Sequence, residues 1–132
     1  MTDIVHSQAV DFPYHMTTTG FDLPGYKIVA VLGVVRGVVV RSRSVFGTIG
    51  ATIQTLAGGN ITLFTQLAER TRADAFNTML VQAEMANADA VIGIRYDATE
   101  IMGGVTEVIC YGTAVRVKAL DADTHNEPRQ VR

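Results

Sequence analysis

"ADAVIGIRYDATEIMGGVTEVICYGTAVRVKAL", residues 88–120, sets the architecture of this chain. Apolar and β-branched residues crowd both halves, "ADAVIGIRYDAT" and "VTEVICYGTAVRVKAL", and "IMGGVT" between them offers two glycines where the chain must reverse. Such a pattern predicts two strands returning antiparallel on one another. Upstream, "YKIVAVLGVVRGVVVRSR", 26–43, is apolar at both parities, which predicts a long strand, or two, buried on both faces. Gly33 and Gly37 are expected to mark bulges or bends in it.

Between these strand segments the period changes. Ser44 suits an N-cap, and Val45, Ile49, Ile53 and Leu56 recur at helical spacing until "AGGN" supplies glycines suited to a left-handed cap. A first helix is therefore expected over 45–57. Asn60 or Thr62 then caps a second, which runs without Gly or Pro to about residue 87. The order is β, α, α, β, β: an α+β fold with an antiparallel sheet packed by one long and one shorter helix. Residues 1–25, with the turn signal "DLPGYK" near their end, read as an N-terminal leader to a domain over 26–120. The tail over 121–132, "DADTHNEPRQVR", has too few apolar residues to anchor itself and is expected to fray.

A length of 132 residues fits one domain, and 48% hydrophobic against 18% charged residues places the chain far from the disordered regime. A formal net charge of −2 lacks the clustered basic surface that phosphate neutralisation needs, so nucleic acid is not an expected partner. Cys110 is the single cysteine, which rules out an intrachain disulfide and suits a buried thiol in a reducing compartment. The N-terminus lacks the basic and apolar regions of a secretory signal, and there is no uninterrupted apolar run of the ~20 residues a bilayer span requires, although one uncharged stretch comes near. The cytoplasm is the expected location.

Laid out at 100° per residue, the second helix has more apolar surface than one small sheet covers. Phe64, Ala68, Thr71, Ala75, Met79, Ala83 and Ala86 form a stripe suited to the sheet. Leu63, Leu67, Val81 and Met85 form another, while Glu69, Arg70 and Glu84 fall on the remaining face. At ~25 cal/mol per Å², leaving several such side chains in water forgoes several kcal/mol. Another subunit is the economical partner, with Ile49, Ile53, Leu63, Leu67, Val81 and Met85 as the expected interface. The alternative is that the leader or the first helix covers the second stripe within one chain.

The closing segment "ANADAVIGIRYDATE" with "GGVTEVICYGTAVRV", preceded in matching order by "GVVRGVVV", "AGGN" and "AERTRADAFNTMLVQAEMANADAV", resembles the YbjQ-like family of small bacterial proteins. The resemblance spans about residues 26–118. It implies a compact dodecin-like α+β subunit assembled as a pentameric ring, with paired rings making larger particles such as decamers. The family is sometimes labelled a heavy-metal-binding domain, and the resemblance carries no activity with it. Two departures stand out: Asn60 replaces the basic residue that relatives tend to carry after the paired glycines, and nothing between Arg43 and Glu69 is ionisable.

Motifs of chemistry are sparse. A soft-metal site needs several converging thiolates or imidazoles, and one cysteine with His6, His15 and His125 in leader and tail does not supply them within a chain. In a ring, symmetry offers one Cys110 per chain as a weak alternative. "VFGTIG" at 45–50 is not a dinucleotide fingerprint, because Val45 stands at its first glycine position and no acid follows until Glu69. No GxxxxGK[ST] is present, and no cofactor is expected. Gly47, Gly50 and Ala51 suit close packing of backbones.

Arg41 and Arg43 sit beside the expected helix N-terminus, where an anion is favoured, unless they pair with carboxylates such as Asp97 or Glu100. Ser42 and Ser44 have no His and acid near them in sequence, so no catalytic motif is found. An enzyme would need Arg95, Asp97, Glu107 or Tyr111 to line a cleft where chains meet. The uncharged stretch over 44–68 offers a different class of role, docking to a partner protein or a membrane surface, although no Lys or Arg decorates it as a membrane helix requires. The reading is a self-assembling subunit with a structural, scaffolding or small-ligand-binding role.

Overall fold

The computed structural model describes residues 10–42 and 61–121. Three strands and one helix form the domain: β1 (Tyr26–Ser42), α1 (Ile61–Met85), β2 (Ala90–Met102) and β3 (Val105–Ala119). They make a three-stranded antiparallel sheet in the order β1-β3-β2, so the hairpin partner β3 lies at the centre. The fold is α+β, as expected. The helix expected over 45–57 lies outside the described residues, as do Arg43, Ile49, Ile53, His6 and His125.

The hairpin closes where "GG" places it, with Gly104 at φ 77°, a left-handed value that glycine adopts without steric penalty. β1 is one strand of 17 residues, and its ladder with β3 shifts register between Ile28 and Ala30 and between Val31 and Gly33. Gly33 thus marks a bulge. Gly37 does not: it pairs in register with Cys110, and a Cβ built on it would overlap the Ala75 carbonyl oxygen. Its missing side chain lets the α1 backbone lie directly on the strand.

The expectation that β1 is buried on both faces is corrected. From residue 34 onward its burial alternates: Val35 and Gly37 are buried beneath α1, whereas Val34, Val38 and Val40 are exposed. Apolar residues at both parities show that both faces favour cover. Among the described residues, α1 supplies it for one.

The helix end follows from one residue. Asn87 takes φ 56°, the Ala88 N–H bonds the Ala83 carbonyl, and the Asn87 N–H bonds that of Glu84, a Schellman cap built on asparagine. Along α1 the buried set is Thr71, Ala75, Met79, Leu80 and Ala83. Phe64 and Ala68, expected on the sheet-facing stripe, are exposed because burial along the helix begins only at Thr71, and Ala86, also expected there, lies past the helix end and is exposed. Leu80 joins the core instead.

The segment read as a leader packs against the same helix. Tyr14 stacks on Phe76 with ring centroids 5.8 Å apart and donates its hydroxyl to Asn77 Oδ1. The chain then crosses the β2 edge, where Thr18 N–H bonds Val91 O, Gly93 N–H bonds Gly20 O and Ile94 N–H bonds Thr18 O. Phe12, Met16 and Leu23 enter the core, so residues 10–25 are part of the packed unit.

Candidate functional site

Gly37, Cys110 and Tyr96 form one row across the three strands, since Cys110 pairs with Gly37 on one side and Tyr96 on the other. The absent side chain at Gly37 brings α1 low enough for Met79 to reach this row. Cys110 Sγ lies 3.7 Å from Met79 Sδ and donates to it, and both residues are fully buried. The Tyr96 hydroxyl hydrogen-bonds the same thiol.

Burial pushes the Cys110 thiol up from its ordinary value, and the Tyr96 hydrogen bond opposes this only partly. Tyr96 itself is pushed up to about 12, first by burial and then by the neighbouring Cys110. In the neutral range both groups keep their protons.

Tyr96 is also the boundary between this pair and solvent. Because α1 packs chiefly on β1 and β3, it leaves an open hollow of about 380 Å³ beside β2, lined by Glu69, Arg72, Ala73, Phe76 and Tyr96. A larger, shallower depression of about 590 Å³ lies at the other end of α1, among Asp11, Glu84, Asp89 and Arg116. There Asp89 accepts the Val117 N–H, a bond that holds β3 to the α1–β2 turn. No group of three or more His, Cys, Asp or Glu fit to hold a metal ion occurs among the described residues. His15 is exposed.

The other sheet face is set by the same register. Val34, Arg36, Val38 and Val40 on β1 stand beside Glu107, Ile109 and Tyr111 on β3, and Arg95, Asp97 and Thr99 on β2 complete the face. Val34 is 74% exposed and Val40 51%. The Tyr111 hydroxyl donates to Asp97, whose carboxylate holds the phenol above its ordinary value. Arg95 covers the Phe21 ring at 5.5 Å and donates to Thr19 O and Ile94 O, which ties it to the N-terminal segment. The four residues proposed from sequence for a cleft, Arg95, Asp97, Glu107 and Tyr111, therefore lie on one open face.

Arg41 is engaged elsewhere. It is paired with Asp74 of α1 at 2.6 Å, a partner the sequence reading did not name. Leu63, Leu67, Val81 and Met85 all lie on α1. Leu67 and Val81 are half-buried and Met85 is 78% exposed, so this stripe is only partly covered.

The family model described as "Putative heavy-metal-binding", YbjQ, matches residues 15–118. The chain belongs to the YbjQ family. A UPF0145 protein of Paraburkholderia phymatum is 62% identical over 104 residues, covering 79% of this chain and 94% of the relative. Another, of Solibacter usitatus, is 58% identical over 105 residues, covering 80% and 94%. A solved structure from Pediococcus pentosaceus, described as a DUF74 protein with unknown function, has a TM-score of 0.50 at 21% identity and covers 77% of this chain and 96% of its own. That likeness concerns the fold. Among the described residues, no helix is long and apolar enough to cross a membrane.

Proposed function

We propose that the chain is a self-assembling subunit of a ring-shaped homo-oligomer, a pentamer or a pair of pentamers, with a scaffolding or small-ligand-binding role in the cytoplasm. The observation that carries this reading is the open sheet face, where exposed Val34, Val38 and Val40 flank Ile109. Covering it returns apolar area at ~25 cal/mol per Å². Arg36 and Arg95 stand there with Asp97 and Glu107, so the face is charge-balanced and compatible with a copy of itself.

The two sheet edges support a ring over a simple pair. β1 is long, and its Arg36 N–H is taken by Gln82 Oε1. β2 is covered by residues 18–20 from Val91 to Ile94, and among the described residues no strand pairs with the outer edge of its second half. Unlike edges pair head to tail, and head-to-tail contacts close into rings when the rotation permits. The subunit number comes from the family resemblance. Light scattering on the eluting full chain tests the reading: a multimer that Val38→Glu with Val40→Glu dissociates is expected, and a wild-type monomer would overturn it.

A second reading is favoured by the 3.7 Å contact between Cys110 Sγ and Met79 Sδ. The family description names heavy metals, and this sulfur pair is a donor set of matching softness. Metal uptake by the purified chain, lost in Cys110→Ser, is its test.

A further inference from the structure

We infer that the hollow between α1 and β2 is a binding site for a free aromatic amino acid, with Arg72 taking its carboxylate, Glu69 its ammonium group, and Phe76 and Tyr96 its ring. The inference rests on the small-ligand part of the reading above and names the ligand class. It does not depend on the assembly.

One stripe of the helix and one strand build the site. Glu69, Arg72, Ala73 and Phe76 stand at i, i+3, i+4 and i+7 and so share a face of α1, and Tyr96 of β2 completes the lining. Ala73 leaves the space. Its single methyl group between larger neighbours keeps the floor low, and a volume of about 380 Å³ lies towards the lower end of the ~300–1,000 Å³ of small-molecule sites, which suits one ring system with a short polar group.

Both aromatic walls are fixed before a ligand arrives. Tyr14 stacks on Phe76 at 5.8 Å, and its hydroxyl is donated to Asn77 Oδ1, so the Phe76 ring is braced from behind. Tyr96 is held by the hydrogen bond between its hydroxyl and Cys110, and what it offers the hollow is its ring. A wall already in place spares the ligand the cost of ordering side chains, and aromatic rings add an attraction beyond the area they bury.

The charges select the ligand. Arg72 and Glu69 both lie near enough to the Tyr96 phenol to act on it, in opposite senses. Among the described residues neither has an ion-pair partner. Opposite charges one helical turn apart are best met by a molecule that carries both opposite charges on adjacent groups, as the α-carbon of an amino acid does. The guanidinium takes a carboxylate through two parallel bonds, which fixes its orientation. An aromatic acid without the amine leaves Glu69 beside a like charge, and an aromatic amine without the acid leaves Arg72 so, which makes the pair a device for discrimination.

L-Tryptophan is the probe, because the chain has no tryptophan of its own and the ligand's fluorescence is read without that background. Full-length protein should bind it saturably, with one molecule per chain. N-Acetyltryptophan, which lacks the ammonium group, and tryptamine, which lacks the carboxylate, should each bind about tenfold more weakly or worse, the worth of a hydrogen bond to a charged group. Arg72→Gln should lose the discrimination against tryptamine, and Glu69→Gln that against N-acetyltryptophan. Ala73→Leu, at an exposed helical position, should fill the floor and abolish binding while the thermal midpoint stays put. Equal binding of the three compounds, affinity unchanged in a folded Ala73→Leu, or no saturation up to millimolar tryptophan would each overturn the site. Light scattering on the same samples separates this inference from the assembly: a multimer that binds no tryptophan defeats the site and leaves the assembly standing, whereas a monomer that binds it with the expected discrimination upholds the site and defeats the assembly.

Discussion

Gly37 lies directly beneath the Ala75 carbonyl oxygen, and a Cβ at this position would also come within 2.5 Å of the Met79 amide nitrogen. Both neighbours are helix backbone, so neither can rotate away. The α1-to-sheet distance, and with it the Met79 contact on Cys110, depends on this one missing side chain.

Gly37→Ala should therefore cost about 3 kcal/mol or prevent folding, at the upper end of the overpacking range. Gly103→Ala is the matched control, because a Cβ there meets nothing within 4 Å. Urea unfolding of the two variants checks the difference. Equal midpoints would contradict the helix contact.

The asparagine cap makes a second test. Asn87→Ala forces a Cβ-bearing residue without a local polar side chain into the left-handed region and should destabilise by about 1 kcal/mol, while Asn87→Gly should match or exceed the wild type. Thermal melts rank the three.

Arg41 and Asp74 form a contact that keeps much of its water, with side chains 26% and 46% exposed. Partly exposed pairs are worth about 0 to 1 kcal/mol and weaken with salt. Asp74→Asn should thus lower stability slightly in dilute buffer and barely at all in molar salt. A large, salt-independent loss would show that Asp74 has a different role.

Alkaline pH reports on the Tyr96–Cys110 pair. Tyr96 is raised from 10.0 to about 12, so the native phenol keeps a proton that the unfolded one releases. Its contribution to stability is fully present below pH 10 and is lost as the pH climbs towards 12. The thiol, also pushed up by burial, acts in the same direction from a lower starting pH. Tyr96→Phe should flatten the decline within that window, measured as unfolding midpoints against pH. A slope unchanged by the substitution would contradict the assignment.

What was legible in the sequence follows from how directly each signal is tied to geometry. The hairpin and the long helix each rest on a periodicity or a turn residue with one structural meaning. Gly37 has two meanings in a strand, a bulge or a close approach, and only the position of Ala75 chooses between them. The apolar residues of β1 announced two faces needing cover without saying which the chain itself supplies. Residues 10–25 carry no period because they are held by scattered anchors, Phe12, Met16 and Leu23, and by backbone bonds to β2. The site was half-visible: Cys110 and Met79 were each expected in the core, but their contact depends on a register that local sequence does not encode. Asp74 as the partner of Arg41 depends on helix placement in the same way.

Native mass spectrometry of the freshly purified full chain tests the assembly most directly. Five or ten subunits, falling to one when Val38→Glu and Val40→Glu are combined, is the predicted result. A wild-type chain that stays monomeric at micromolar concentration, with its valine face in water and no loss of stability, would contradict it.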